Sequence, residues 1–151
     1  MQEFSIQTDL NLYINMHVEY NVEGGDFSNA GSASSQIKRI LKQLNVDPSL
    51  IKRVVVALYE AEVNVVAHAY RGVIGADINP SGIYITVKDE GPGIPDVELA
   101  MTKGYSTASK EVREMGFGAG MGLPNISENA DKLSIDTVVG KGTTLNIEIK
   151  F

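Results

Sequence analysis

The stretch IKRVVVALYEAEVNVVAHAY, residues 51–70, is apolar around nearly its whole circumference when wound as an α-helix. Ile51, Val54, Val55, Leu58, Val65, Val66 and Ala69 form one stripe, and Val56, Ala57, Ala61, Val63 and Ala67 cover most of the rest. A helix of this kind is buried on more than one side. Asp47 and Pro48 supply an N-cap and a first-turn proline, so the helix is predicted to begin there and run to about Tyr70. Glu60, Asn64 and His68, at i, i+4 and i+8, break the apolar surface in a single row. Burying them unpaired would be costly. Either they satisfy one another and nearby backbone, or Glu60 and Asn64 face a ligand cavity. In the second case Asn64 offers an amide oxygen to a hard cation and Glu60 a carboxylate that can act as a base. Glu62 lies about 200° round the helix from Glu60 and cannot share a face with Asn64, which leaves its role open. His68 reads as a packing residue.

Outward from this helix, the chain alternates on its N-terminal side. Leu12, Ile14, Met16, Val18 and Tyr20 share one face and Asn15, His17 and Glu19 the other, the pattern of a half-buried strand with His17 toward solvent. GlyGlyAsp at 24–26 turns the chain into an amphipathic helix marked by Ala30, Ala33, Ile37, Ile40, Leu41 and Leu44. On the C-terminal side, a strand at 73–78, the turn AsnProSerGly at 79–82 and a strand at 83–88 read as a hairpin. The glycine-rich region 91–122 contains one short helical candidate, near Asp96 to Met101, and loops of that length are uncommon unless functional or mobile. A helix after Pro124, a strand at 133–138, the turn GlyLysGly at 140–142 and a last strand from Thr143 to Phe151 follow. Helices early and hairpin-connected strands late predict an α/β two-layer sandwich, with helices on one face of a largely antiparallel mixed sheet.

The 151 residues are 43% hydrophobic and 21% charged, the composition of one globular domain spanning 1–151. Cysteine is absent, which excludes zinc fingers, thiol nucleophiles and a disulfide framework. A net charge of −6 argues against nucleic-acid binding through a broad basic surface. No stretch is long and apolar enough to span a bilayer, and MQEFSIQTDL lacks the basic start and apolar run of a leader, so a cytoplasmic protein is expected. An acidic chain that holds a phosphate ligand must use backbone donors and a divalent cation.

Three further segments carry candidate chemistry. In IYITVKDEGPG, residues 83–93, period-2 alternation places Asp89 on the inward face with Ile83, Ile85 and Val87. An inward carboxylate needs a donor, such as the exocyclic amino group of adenine, and Gly91 and Gly93 would let a flat ring approach the backbone. An Asx-type turn explains the segment equally well. Thr143 shares the inward parity of Leu145, Ile147 and Ile149, so its hydroxyl serves either the same pocket or a nearby backbone carbonyl. In GFGAGMGLP, residues 116–124, glycines alternate up to a helix whose first turn contains Pro124, exposing backbone donors and a helix N-terminus to an anion; a flexible linker is the plain alternative. Other phosphate motifs are absent: there is no GxxxxGK[ST], no GxGxxG after a strand, and no HRD or DFG element.

In order and spacing, GluAlaGluValAsn at 60–64, AspGluGlyProGly at 89–93, GlyPheGlyAlaGlyMetGlyLeu at 116–123 and GlyThr at 142–143 resemble the N box, two glycine boxes and final threonine of the GHKL superfamily. This is the Bergerat ATP-binding fold of gyrases and histidine kinases, and the resemblance covers the chain from about Val18 onward. The small size and the run AsnValValAlaHisAlaTyr at 64–70 look most like bacterial anti-sigma factor serine/threonine kinases. The resemblance implies ATP and Mg2+ as cofactors, Asn64 as magnesium ligand, Glu60 as the catalytic carboxylate and Asp89 on the adenine amino group. It also implies that Gly91, Gly93 and Thr143 complete the adenine pocket and that Gly116, Gly118, Gly120, Gly122 and Leu123 hold the phosphates. The segment 103–115 would be a lid, with Lys103, Lys110 and Arg113 as its cations. The substrate class implied is a serine on a small anti-anti-sigma protein, with a sigma factor as possible second partner and a homodimer as the usual assembly. The alternative in the same family frame is a non-catalytic ATP-gated module that sequesters a sigma factor or another regulator. A histidine kinase acting on itself is disfavoured, because only His17, on a strand, precedes the core.

Overall fold

The computed structural model describes residues 16–106, 108–111 and 121–151. Five strands form one sheet: β1 (Met16–Glu23), β2 (Arg71–Asn79), β3 (Gly82–Glu90), β4 (Lys132–Val138) and β5 (Gly142–Lys150), in the spatial order β1-β2-β3-β5-β4. All four pairings are antiparallel. The helices are α1 (Ser32–Gln43), α2 (Pro48–His68), the single turn α3 (Val97–Ala100) and α4 (Gly122–Asn129), with a 3-10 turn at Phe27–Asn29. Among the described residues no helix is long and apolar enough to cross a membrane. The first strand continues to Glu23, and the Leu12 to Asn15 part of its predicted span lies outside the described residues.

Alternation along the strands produces the two layers. Ile74, Ala76 and Ile78 of β2, Ile83, Ile85 and Val87 of β3, and Leu145, Ile147 and Ile149 of β5 are buried on the helical side. They pack with Ile37 and Leu41 of α1, Val54, Leu58 and Val65 of α2, and Leu123 and Ile126 of α4 in one core. The opposite face stays exposed at His17, Glu19, Thr86 and Lys88. His17 faces solvent as expected, but it bridges carboxylates: its ring nitrogens lie 2.6 Å from Asp77 and 3.1 Å from Glu19. Hydrogen bonds to Glu19 and then Asp77 raise its pKa above the usual histidine value.

The long helix α2 is central in the helical layer, packed against both α1 and α4. Asp47 caps it, accepting from the Ser49 N–H at 2.8 Å, with Pro48 at the first helical position. At its other end the Gly25 N–H donates to the Val66 carbonyl at 2.8 Å and the Tyr70 N–H to the Glu90 carbonyl at 2.8 Å. The C-terminus of α2 is thereby fixed beside the end of β3. Helix α4 begins at Gly122, two residues before the proline expected to open it, because proline is tolerated anywhere in a first turn where N–H groups lack intrahelical partners.

Candidate functional site

At the end of β3, Asp89 points to the helical side, half-buried, and its Oδ1 accepts the Thr143 N–H at 3.0 Å. Among the described residues no hydrogen bond reaches Oδ2. Burial raises the Asp89 pKa above the ordinary carboxylate value, and the hydrogen bond from Thr143 opposes that shift. Thr143 is 8% exposed, and its hydroxyl lies 3.0 Å from that of Thr137, its cross-strand partner on β4. The hydroxyl therefore takes a neighbouring side chain rather than a backbone carbonyl. Thr137 also accepts the Ile94 N–H at 2.8 Å. Sequence reasoning missed Thr137, whose parity on β4 becomes informative only once its pairing with Thr143 is known.

The glycines after Asp89 have a packing reason within the protein. Gly93 adopts φ +75°, and a Cβ there would lie 2.6 Å from the Val138 carbonyl oxygen, so protein backbone fills the space that a side chain would take. A Cβ on Gly91 would meet Ala69 at 3.1 Å and Asp89 Oδ1 at 3.3 Å. Gly142 lies so close to the Asp89 carbonyl oxygen that any side chain would collide with it. These glycines let the Asp89 segment, the β4–β5 turn and the end of α2 nest together. The Gly140 N–H donates to the Pro92 carbonyl at 2.8 Å and the Gly91 N–H to the Lys141 carbonyl at 3.1 Å, completing the stitching.

One and a half turns before Ala69, Asn64 projects half-buried from α2 toward α4. The ideal Cβ position of Gly122 is 3.0 Å from Asn64 Oδ1 and 3.3 Å from its Nδ2. The carboxamide thus lies against the N-terminus of α4, where positive helix dipole and unpartnered N–H groups favour an anion. Leu123 is buried beneath it. Glu60 is half-buried one turn earlier on α2. Gly116, Gly118 and Gly120, with Arg113 and Met115 of the expected lid, lie outside the described residues. Lys103, expected as a lid cation, pairs with Glu128 of α4 at 2.8 Å. His68 is half-buried, and burial lowers its pKa, which keeps the ring neutral as a packing residue.

Glu62 has a structural role away from this site. It is 2% exposed, and its carboxylate accepts four hydrogen bonds at the start of α1: from the N–H groups of Gly31 (3.0 Å), Ala33 (3.2 Å) and Ser34 (3.1 Å), and from the Ser34 hydroxyl (2.8 Å). Helix α1 has Gly31 at its N-cap position and no capping side chain of its own. Glu62 supplies the missing cap from the neighbouring helix.

Oxygen donors at Asn64 and Glu60 suit a hard divalent cation. The anion-favouring end of α4 lies beside Asn64, and the Asp89 carboxylate stands near Ala69, just past the C-terminus of α2.

Residues 26–149 match the family described as the histidine kinase-like ATPase domain. The chain is 33% identical over 118 residues to the serine/threonine-protein kinase RsbT of Bacillus subtilis, covering 75% of this chain and 83% of that one. It is 37% identical over 109 residues to an anti-sigma F factor of Caldanaerobacter subterraneus, covering 68% and 73%. Among solved structures, the SiaB–SiaC complex of Pseudomonas aeruginosa aligns with a TM-score of 0.63 at 12% identity over 98% of this chain and 97% of that one. The RsbU and RsbW domains of a Mycobacterium tuberculosis protein align at 0.59 and 17% identity over 88% of this chain and 31% of that longer one. These two likenesses concern the fold. The chain belongs to the histidine kinase-like ATPase domain family, among relatives that include a serine/threonine kinase and anti-sigma factors.

Proposed function

We propose that the protein is an ATP- and magnesium-dependent serine/threonine kinase that phosphorylates a small anti-anti-sigma-type partner. The observation that carries this reading is the close approach of the Asn64 carboxamide to Gly122 at the start of α4, which sets an oxygen donor suited to a cation beside an anion-favouring helix end. Similarity to a named serine/threonine kinase and to anti-sigma factors supports it. The wider proposal is one ATP-binding domain over residues 1–151, a homodimeric assembly, a cytoplasmic location and a sigma factor as second partner.

Magnesium–ATP supplies the phosphoryl group and neutralises charge on its oxygens. The chain's own work is positioning and electrostatics. In this proposal Asn64 would hold the metal, and the N–H groups of Gly122 and Leu123, with Gly116, Gly118 and Gly120, would bind the phosphates. Asp89 accepts from the adenine amino group through Oδ2, beside Thr143, Gly91 and Gly93. Glu60 orients the acceptor hydroxyl and takes its proton.

Two assays test this. With labelled ATP, magnesium and a purified anti-anti-sigma protein, the native chain is expected to transfer label to the partner; label that stays on ATP in a complex of all three contradicts the kinase reading and favours a gated binding module. By titration calorimetry, Asn64→Ala is expected to weaken magnesium-dependent ATP binding roughly 100-fold, the upper end for losing even an outer-shell partner of a metal site. Its thermal unfolding should stay close to native.

A further inference from the structure

Residues 32–59, which make α1, the following turn and the first half of α2, contain Lys38, Arg39, Lys42, Lys52 and Arg53 but a single acid, Asp47. In a chain of net charge −6 this is a pronounced segregation of positive charge. A groove of about 590 Å³ opens between the two helices. Lys38, Lys42 and Lys52 stand around it, and half-buried Val46, Val55 and Val56 line its floor. None of the three lysines has an ion-pair partner among the described residues, whereas Arg53 pairs with Asp131 at 3.1 Å. The single acid of this segment, Asp47, caps α2, accepting from the Ser49 N–H at 2.8 Å and the Ser49 hydroxyl at 2.6 Å.

Three unpaired cations around an apolar floor complement a ligand with the opposite pattern, an apolar stripe flanked by carboxylates. The geometry points to a docking groove for an acidic amphipathic helix of a partner protein. Its apolar residues, at i, i+3 and i+4 spacing, pack on Val46, Val55 and Val56, and its carboxylates meet Lys38, Lys42 and Lys52. Nucleic acid fits less well, because a phosphate backbone makes no use of an apolar floor and the remainder of the chain repels it. The groove shares no lining residue with Asn64, Asp89 or Thr143, so it can be filled while the nucleotide site is occupied. The inference goes beyond the kinase reading and does not require it.

The probe is a fluorescent peptide of about 18 residues, five helical turns, with leucine at the stripe positions and glutamate elsewhere. Anisotropy with the full chain should show binding that weakens as salt rises. The triple variant Lys38→Glu, Lys42→Glu, Lys52→Glu should lose at least about tenfold in affinity, which is 1.4 kcal/mol, and should keep native Mg–ATP binding. Amide shifts of the native chain on titration should centre on Val46, Val55 and Val56, a readout that stands even if the triple variant does not fold. Equal binding by native and triple variant, equal binding of a peptide with lysine for glutamate, preference for a thymidine oligonucleotide, or shifts centred elsewhere would overturn the proposal. So would a native dimer that dissociates on charge reversal without any peptide binding, which would assign the groove to a second copy of the chain. Asp89→Asn should bind the peptide as the native chain does; failure of its ATP binding alone bears on the nucleotide reading and leaves the groove standing.

Discussion

Replacing Glu62 by alanine is expected to lower the unfolding free energy by about 4 kcal/mol, among the largest effects of any single substitution. The carboxylate is 2% exposed and serves three N–H groups and a hydroxyl at the start of α1 that have no other partner among the described residues. Bonds to a charged acceptor are worth about 1.5–3 kcal/mol each, short of additivity, and their loss strands buried donors. Glu62→Gln should cost about half as much, because one oxygen still accepts while the new NH2 group faces donors. Urea unfolding with a constant m-value would report the difference, and a fall of roughly 10 °C in Tm should accompany the alanine variant. A change within about 0.5 kcal/mol, the ordinary range for surface positions, would show that Glu62 does not hold α1 to α2.

The second large effect concerns ligand affinity. Asp89→Asn is expected to weaken ATP binding by roughly 100-fold. Oδ1 is committed to the Thr143 N–H, so the amide NH2 must occupy the Oδ2 position and set a donor against the adenine amino donor. The free protein should respond in the opposite sense. Because burial raises the Asp89 pKa, the folded chain binds that proton more tightly than the unfolded chain. The contribution of Asp89 to stability is thus most favourable below the ordinary aspartate value of about 3.9 and is lost as pH rises through the raised folded value. At neutral pH the ionised carboxylate costs stability, and the asparagine variant without ligand should be at least as stable as native. ATP affinity of the native chain should fall on acidification through the raised Asp89 pKa, and affinity of the variant should show no such step. Calorimetric titrations at several pH values, paired with thermal unfolding of the free proteins, check all of these. Unchanged ATP affinity in the variant would remove Asp89 from the nucleotide site.

Much of the architecture was legible in local patterns. Period-2 alternation located β1, β3 and β5 because one face of each packs on the core, and Asp47–Pro48 fixed the start of α2 because both residues act through the local backbone. The inward direction of Asp89 followed from the same parity. What was not legible depended on contacts distant in sequence. The donors that Glu62 serves lie 28 to 31 residues away. The missing cap of α1, with glycine at its N-cap and no acid in its first turn, and a carboxylate on an otherwise apolar helix were the two signals that could have joined them. Thr137 needed the β4–β5 register. The reason for Gly93 needed the β4–β5 turn to be seen against it, since absence of a Cβ reads the same whether a ligand or protein backbone takes the space.

The central claim is that the Asn64, Asp89–Thr143 and Gly122 segments line one site for a purine nucleotide and its metal. Titrating magnesium–ATP into isotopically labelled protein tests it most directly. The Asn64 side-chain amide, the Thr143 backbone amide and the Gly122 backbone amide should all shift, with one shared dissociation constant and a dependence on magnesium that is strongest at Asn64. Saturation with any of the three unmoved would contradict the account.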